Sequence, residues 1–177
     1  VTLPDSVTGK VLSALEKSMQ NLVLVGMPGC GKTVLGKLLA NMLGRGFIDT
    51  DALIEKKAGR SIPEIFSSEG EKAFRDMESE VIREAGKTSG AVIATGGGTV
   101  KRPENYRPLK QNGLIFFIER EPQLLETGGR PLSGTEKLSE MYAERLPLYE
   151  RFSDIRIGNN ASLEDAAEII VSYFRQE

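Results

Sequence analysis

The segment from Leu22 to Thr33, LVLVGMPGCGKT, runs from an apolar stretch through a glycine-rich turn to a helix start with nothing between the three signals. A short apolar run closed by glycine reads as a strand buried on both faces, which commits the chain to a covered sheet. Gly26, Gly31, Lys32 and Thr33 stand at the spacing G-x-x-x-x-G-K-[ST] of a phosphate-binding loop. The turn formed by Gly29, Cys30 and Gly31 lets consecutive N–H groups face an anion. The helix opening at Lys32 points its positive end to the same place. In this pattern Lys32 reaches the β- and γ-phosphates of a nucleotide and the Thr33 hydroxyl binds Mg²⁺. Cys30, lying within such a loop, should be open to a thiol reagent until nucleotide covers it. The competing reading, a turn that binds nothing, leaves the strand in front and the helix behind unexplained.

Composition sets the outer limits. At 177 residues and 40% hydrophobic content the chain is one domain with a core of its own. Its 23 basic and 25 acidic residues are interspersed and leave a net charge of −2, so neither nucleic acid nor a membrane is an expected partner. No apolar run approaches the roughly 18 residues of a membrane span, and the start lacks a signal-peptide pattern, so a cytoplasmic setting is expected. The lone Cys30 excludes an intrachain disulfide, and the absence of histidine removes the commonest general base. Proton transfer must fall to carboxylates or to substrate oxygens.

Along the chain, apolar strands alternate with helical segments. Strands are expected at Leu22 to Val25, Gly46 to Ile48, Ala91 to Ala94, Leu114 to Ile118 and Ile155 to Ile157. Helices are expected over Lys32 to Leu43, after Asp51 with Phe74, Met77, Val81, Ile82 and Ala85 on one face, and from Ser162 to near Phe174. Ser162 and Asp165 form the capping pair of the last one. This alternation predicts an α/β three-layer sandwich, a parallel sheet flanked by helices, with ligands gathered at the carboxyl ends of the strands. Ser6 to Gln20 carries Val7, Val11, Leu12, Leu15 and Met19 at helical spacing but no catalytic pattern. Residues 1–20 are read as a helical extension, a linker left from a larger chain fused to another enzyme domain or the product of processing. Residues 21–177 are read as the working domain, expected to be a monomer.

Three further clusters select the chemistry. Asp49-Thr50-Asp51 follows an apolar strand, and an extended backbone through it puts both carboxylates on one side. Asp49 then holds Mg²⁺ through its water shell and Asp51 accepts a hydrogen bond from the attacking hydroxyl. The alternative is that Asp51 caps the next helix. Thr95-Gly96-Gly97-Gly98 allows a ligand to lie directly on backbone N–H groups. Arg75 and Arg145 are candidate forks for an anionic acceptor. Surface ion pairs of Arg75 with Glu78, and of Arg145 with Glu144 or Glu150, are the alternatives.

Taken together, Gly26 to Thr33, Asp49-Thr50-Asp51, Ile65-Phe66 through Gly70-Glu71, Phe74-Arg75 with Glu78, Gly96-Gly97-Gly98, Arg130-Pro131-Leu132 and Arg145 with Pro147-Leu148-Tyr149 resemble the shikimate kinase family over about Asn21 to Phe174. The resemblance implies a P-loop fold like that of nucleoside monophosphate kinases, with a five-stranded parallel sheet in order 2-3-1-4-5. It implies transfer of the ATP γ-phosphoryl group to the 3-hydroxyl of shikimate, with Mg²⁺. By the same resemblance Lys32 and Thr33 serve the nucleotide and metal, and Asp49 assists the metal. Asp51, Arg75, Gly97, Gly98 and Arg145 bind shikimate, and Arg130 belongs to a lid near 127–136. The glycines of Thr127-Gly128-Gly129-Arg130-Pro131 fit a closing loop that brings positive charge to the transferring group. Ser133 stands where the family usually has a second leucine, and Gly158-Asn159-Asn160 lacks the arginine or proline that some members place against adenine. A kinase of another small polyol acid such as gluconate, and a non-catalytic nucleotide-binding regulatory module, are the alternatives.

Overall fold

A computed structural model of the chain describes residues 5–125, 134–160 and 162–175. Five strands form one sheet in the order β2-β3-β1-β4-β5, as expected: β1 (Asn21–Val25), β2 (Phe47–Asp49), β3 (Val92–Ala94), β4 (Gly113–Glu119) and β5 (Ile155–Gly158). All pairings are parallel. The helices are α1 (Asp5–Met19), α2 (Lys32–Leu43), α3 (Thr50–Ala58), α4 (Ile62–Ala85), α5 (Tyr106–Lys110), α6 (Gly134–Phe152) and α7 (Leu163–Ser172). The reason β1 has no polar alternation is visible in its burial. Leu22, Val23, Leu24 and Val25 are all fully buried, so side chains on both faces of the strand meet helices.

The strand ends are level where the site forms. Leu24 pairs with Ala94, and Ala94 pairs with Asp49, so β1, β3 and β2 finish side by side. Each strand boundary falls within a residue or so of the expected one, but the difference at β2 matters. The strand reaches Asp49 and α3 starts at Thr50, so the backbone through Asp49-Thr50-Asp51 is not extended. Asp49 is itself the helix cap, its carboxylate accepting from the N–H groups of Asp51 and Ala52. Asp51 lies in the first turn and is neither the cap nor in line with Asp49.

The helical block after Asp51 is two elements, and α4 itself bends at Gly70, whose φ of 82° lies in the left-handed region. Its capping box joins Ser61 to Glu64. Phe74 and Val81 join Ile54 and Ile65 in a small core apart from the main one, which fixes α3 against α4. Ile82 and Ala85 belong to the main core under the sheet. The last helix is capped by the Ser162 hydroxyl, which accepts from Asp165 N–H at 3.0 Å.

The helix α1 forms where its spacing places it, but Val7, Val11, Leu12, Leu15 and Met19 remain exposed. It is held at its carboxyl end. Met19 O accepts from Gly90 N–H at 2.7 Å and from Asn112 Nδ2 at 3.0 Å. Arg45 donates to Lys17 O at 2.8 Å and Gln20 O at 2.7 Å while its guanidinium lies over the Phe174 ring. Removing residues 1–14 should therefore change the free energy of unfolding by about 1 kcal/mol or less, since the apolar stripe is in water either way. Arg45→Ala should cost about 2–3 kcal/mol, the range for losing hydrogen bonds to a charged donor. Urea denaturation of both variants checks this, and equal losses would show that the whole of α1 packs into the domain.

Candidate active site

The loop after β1 curls through Gly29 (φ 78°) and Gly31 (φ 94°), and α2 begins at Lys32 as expected. Lys32 is turned into the loop and nearly buried. Its ammonium donates to Gly26 O and Met27 O, both at 2.8 Å, and approaches Cys30 Sγ at 3.6 Å. Cys30 departs from expectation. Its thiol is fully buried and its N–H turns back to Met27 O at 3.3 Å, so the thiol is not open to a reagent. At the start of α2, Thr33 Oγ1 donates to Asp49 Oδ2 at 2.7 Å. This bond ties the start of α2 to the end of β2 through two hard oxygens. Pro28, Gly29, Gly31, Lys32, Thr33, Asp49, Asp51 and Gly97 share a cleft of about 300 Å³.

Beside that cleft the three glycines form a floor, and each has a separate steric reason. A Cβ on Gly96 would stand 2.5 Å from Asp51 Oδ1 and 2.8 Å from Glu78 Oε1. On Gly97 it would meet the Pro28 ring at 2.5 Å, and on Gly98 it would overlap the Arg75 guanidinium. Only residues without a side chain let these groups converge. The Gly96 N–H is occupied by Thr50 Oγ1 at 3.1 Å, which ties the floor to α3.

Arg75 does pair with Glu78, at 2.7 Å, but not at the surface. Glu78 is completely buried and its other oxygen accepts from Thr99 Oγ1 at 2.9 Å. A buried carboxylate so placed holds the guanidinium over Gly98. Glu71 meets the other edge of Arg75 at 3.4 Å while being drawn to Lys101 at 3.0 Å. Among the described residues Arg145 forms no ion pair with Glu144 or Glu150; its Nη1 donates to Gly97 O at 3.2 Å. Tyr149 OH, one turn further along α6, donates to the same carbonyl at 2.6 Å, with its ring stacked on Phe117. Burial raises the Tyr149 pKa, which keeps that hydroxyl a donor. Thus α4 and α6 bring Arg75 and Arg145 to the same glycine floor from different parts of the chain. Arg130 and residues 127–133 lie outside the described residues.

Among the described residues two buried polar atoms near the floor, Asp51 Oδ1 and Arg145 Nε, have no hydrogen-bond partner. The Asp51 carboxyl is pushed up to about 6, first by burial and then by the negative charges of Glu78 and Asp49, against the pull of Lys32 and Arg75. The sequence reading had Asp51 and both arginines but assigned nothing to Thr50, Thr99 or Tyr149. Thr50, fully buried between two aspartates, carried the one available signal, a hydroxyl in a turn that both neighbours leave for other work.

Comparison with known proteins decides among the kinases this geometry admits. The family model described as "Shikimate kinase" matches residues 28–174. The chain belongs to the shikimate kinase family. A shikimate kinase of Symbiobacterium thermophilum is 42% identical over 85% of this chain and 94% of its own length. The solved shikimate kinase from Acinetobacter baumannii in complex with shikimate is 35% identical, with a TM-score of 0.82 over 91% of this chain and 96% of that one. A gluconokinase from Sinorhizobium meliloti, at 15% identity and a TM-score of 0.57 over 89% of this chain and 92% of that one, shares the fold alone. Family membership makes the chain a phosphotransferase that uses ATP and phosphorylates shikimate. Among the described residues no helix is long and apolar enough to cross a membrane.

The raised Asp51 pKa has a stability consequence of definite sign. The folded protein holds a proton on Asp51 up to about pH 6, whereas the unfolded chain releases it near the ordinary aspartate value of 3.8. Stability is therefore lost as pH rises through that window, by up to about 3 kcal/mol. Asp51→Asn should be more stable than the parent at pH 8, with the advantage shrinking toward pH 4. Denaturation curves across that range test it, and a pH-independent difference would contradict the burial of an ionisable Asp51.

Proposed function

We propose that the chain transfers the γ-phosphoryl group of ATP to the 3-hydroxyl of shikimate, giving shikimate 3-phosphate and ADP. The observation that carries this reading is the convergence of the Asp51 carboxyl and the Arg75 and Arg145 guanidiniums, from three different helices, on the Gly96–Gly98 floor. A molecule bearing a hydroxyl and a carboxylate suits such a floor, because its hydroxyl can donate to the Asp51 carboxylate and its carboxylate can accept from the two guanidiniums. Shikimate carries both groups.

In this reading Asp51 accepts the hydrogen bond of the attacking hydroxyl and takes its proton as the P–O bond forms. A pKa near 6 leaves it mostly ionised at neutral pH yet basic enough for that task. Arg75 and Arg145 clamp the acceptor carboxylate, while Gly97 and Gly98 let the ring approach the backbone. The N–H groups of Gly29, Gly31, Lys32 and Thr33 receive the nucleotide phosphates, with Cys30 shaping the turn. Lys32 exchanges its two carbonyl partners for phosphate oxygens and neutralises charge as transfer proceeds. The adjoining Thr33 hydroxyl and Asp49 carboxylate suit Mg²⁺, a hard ion bound by few protein oxygens alongside water and phosphate. When bound, Mg²⁺ neutralises phosphate charge. Arg130, by family resemblance, adds a lid cation. Residues 21–177 carry this chemistry, and α1 is an extension to it.

The acid limb of kcat/KM for shikimate should lie near pH 6, activity falling as Asp51 becomes protonated. Asp51→Asn should abolish that limb along with most of the turnover. A limb that survives unchanged in the variant would remove Asp51 as the base.

Acceptor identity is tested separately. Truncating one partner of a desolvated charge pair costs about 2–5 kcal/mol, so Arg75→Ala and Arg145→Ala should each weaken shikimate binding by roughly thirtyfold or more, with MgADP affinity within a few-fold of the parent. Calorimetric titration with each ligand measures both quantities. Phosphorylation of gluconate as efficient as that of shikimate would replace this acceptor assignment.

A further inference from the structure

A phosphate loop that points its N–H groups inward has to point carbonyls outward, and each buried carbonyl then needs a donor of its own. Gly26 O and Met27 O are served by Lys32 Nζ. Cys30 O is served from another part of the chain, by Asn159 Nδ2 at 2.9 Å. Asn159 follows β5 and is only 4% exposed. Its backbone N–H donates to Glu119 O at 2.8 Å, so its position is set by the β4–β5 pairing and not by the loop it touches. The same amide nitrogen stands against Gly31, where a Cβ would come within 3.2 Å of it. The next residue faces away: Asn160 Oδ1 accepts from Glu121 N–H at 3.0 Å and its Nδ2 reaches Glu121 Oε1 at 3.2 Å.

We propose that Asn159 is a positioning residue for nucleotide binding, bracing the phosphate loop at Cys30 and Gly31, the two residues before Lys32. The inference rests on the reading of this loop as the nucleotide site. Its physical content is preorganisation. When Lys32 leaves Gly26 O and Met27 O for a phosphate, the Asn159 bond is the side-chain contact that still holds the 30–31 peptide with its carbonyl outward. Without that donor the nucleotide-free loop relaxes, turning Cys30 O toward water, and nucleotide has to reverse the turn at a cost in affinity. Asn159 does not touch the glycine floor, so shikimate binding is indifferent to it. In the sequence, Gly158-Asn159-Asn160 stood out only for the adenine contact it lacks; the structure supplies Asn159 with a different task.

Asn159→Leu keeps the branching at Cγ and removes the donor, and Asn159→Ala serves if the bulkier leucine does not fit. Titration of parent and variants with MgADP, and separately with shikimate in the absence of nucleotide, is expected to show MgADP weakened about tenfold, the equivalent of one orphaned buried carbonyl. Shikimate affinity should stay within twofold, and in the coupled assay the KM for ATP should rise with the KM for shikimate unchanged. MgADP affinity within twofold of the parent, or equal weakening of both ligands, would overturn the proposal, the second by reducing Asn159 to a general structural role. Failure of the parent itself to bind MgADP would instead refute the nucleotide-site reading and this inference with it.

Discussion

The level register of β2, β3 and β1 is the constraint on which the rest of the molecule depends. Asp49, Ala94 and Leu24 lie side by side, so the chain leaves three adjacent strands at one height and three loops open into one cleft. The Thr33–Asp49 hydrogen bond spans the gap where β3 intervenes, and the Thr95 N–H and hydroxyl both return to Leu24 O, at 3.1 and 2.9 Å. A slip of one residue would reverse the side-chain alternation and carry Asp49 away from Thr33. Burial of β1 on both faces makes such a slip costly, because every side chain in the strand already fills a packed site. The apolar core thus sets the geometry of the polar site.

Charge burial is the second organising element, and it runs opposite to ordinary surface chemistry. Glu78 is enclosed, paired with Arg75 and bonded to Thr99, and it acts on the site at both ends. It fixes the guanidinium against Gly98 and, as the leading charge acting on Asp51, raises that carboxyl toward neutrality. A buried ion pair is an uncertain source of stability, since desolvation offsets much of the attraction. Here its more evident product is orientation. The same arrangement leaves Asp51 costly to ionise, so the property that suits it to proton transfer works against folding stability above about pH 6.

The loop and the acceptor floor differ in how they are held before ligand arrives. The floor is preformed, its glycines pressed against Pro28, Arg75 and Asp51, with Gly97 O gripped by Arg145 and Tyr149. The phosphate loop is preformed at its far side by Asn159, while Lys32 sits in a resting position that a nucleotide must displace. Placement of the acceptor therefore calls for little rearrangement, and the lysine is the described group with the most to change.

How much of this was legible in the sequence depended on the range of the interaction. The strand, loop and first site helix were readable because the glycine spacing, the apolar run and Lys32-Thr33 are local and each has one physical meaning. The order of the strands and the clustering of Arg75 and Arg145 came from matching several motifs in series, since nothing local says that residues seventy positions apart share a glycine floor. The helical spacing of α1 predicted its form but not that Val11, Leu12 and Leu15 would stay in water, because periodicity shows that a face is apolar and not what it meets. The capping role of Asp49 was missed because two aspartates in one turn compete for it, and the backbone path decides. Likewise Arg75–Glu78 spacing on a helix announced an ion pair, while only the packing of α4 against the Gly96–Gly98 segment buried it. By itself the sequence determined the elements and the chemistry they carry, through short-range sterics and hydrophobic pattern. Tertiary structure alone decided which polar groups lost water, and with it the raised pKa of Asp51, the burial of Glu78 beneath Arg75 and the reach of Asn159 to Cys30 O.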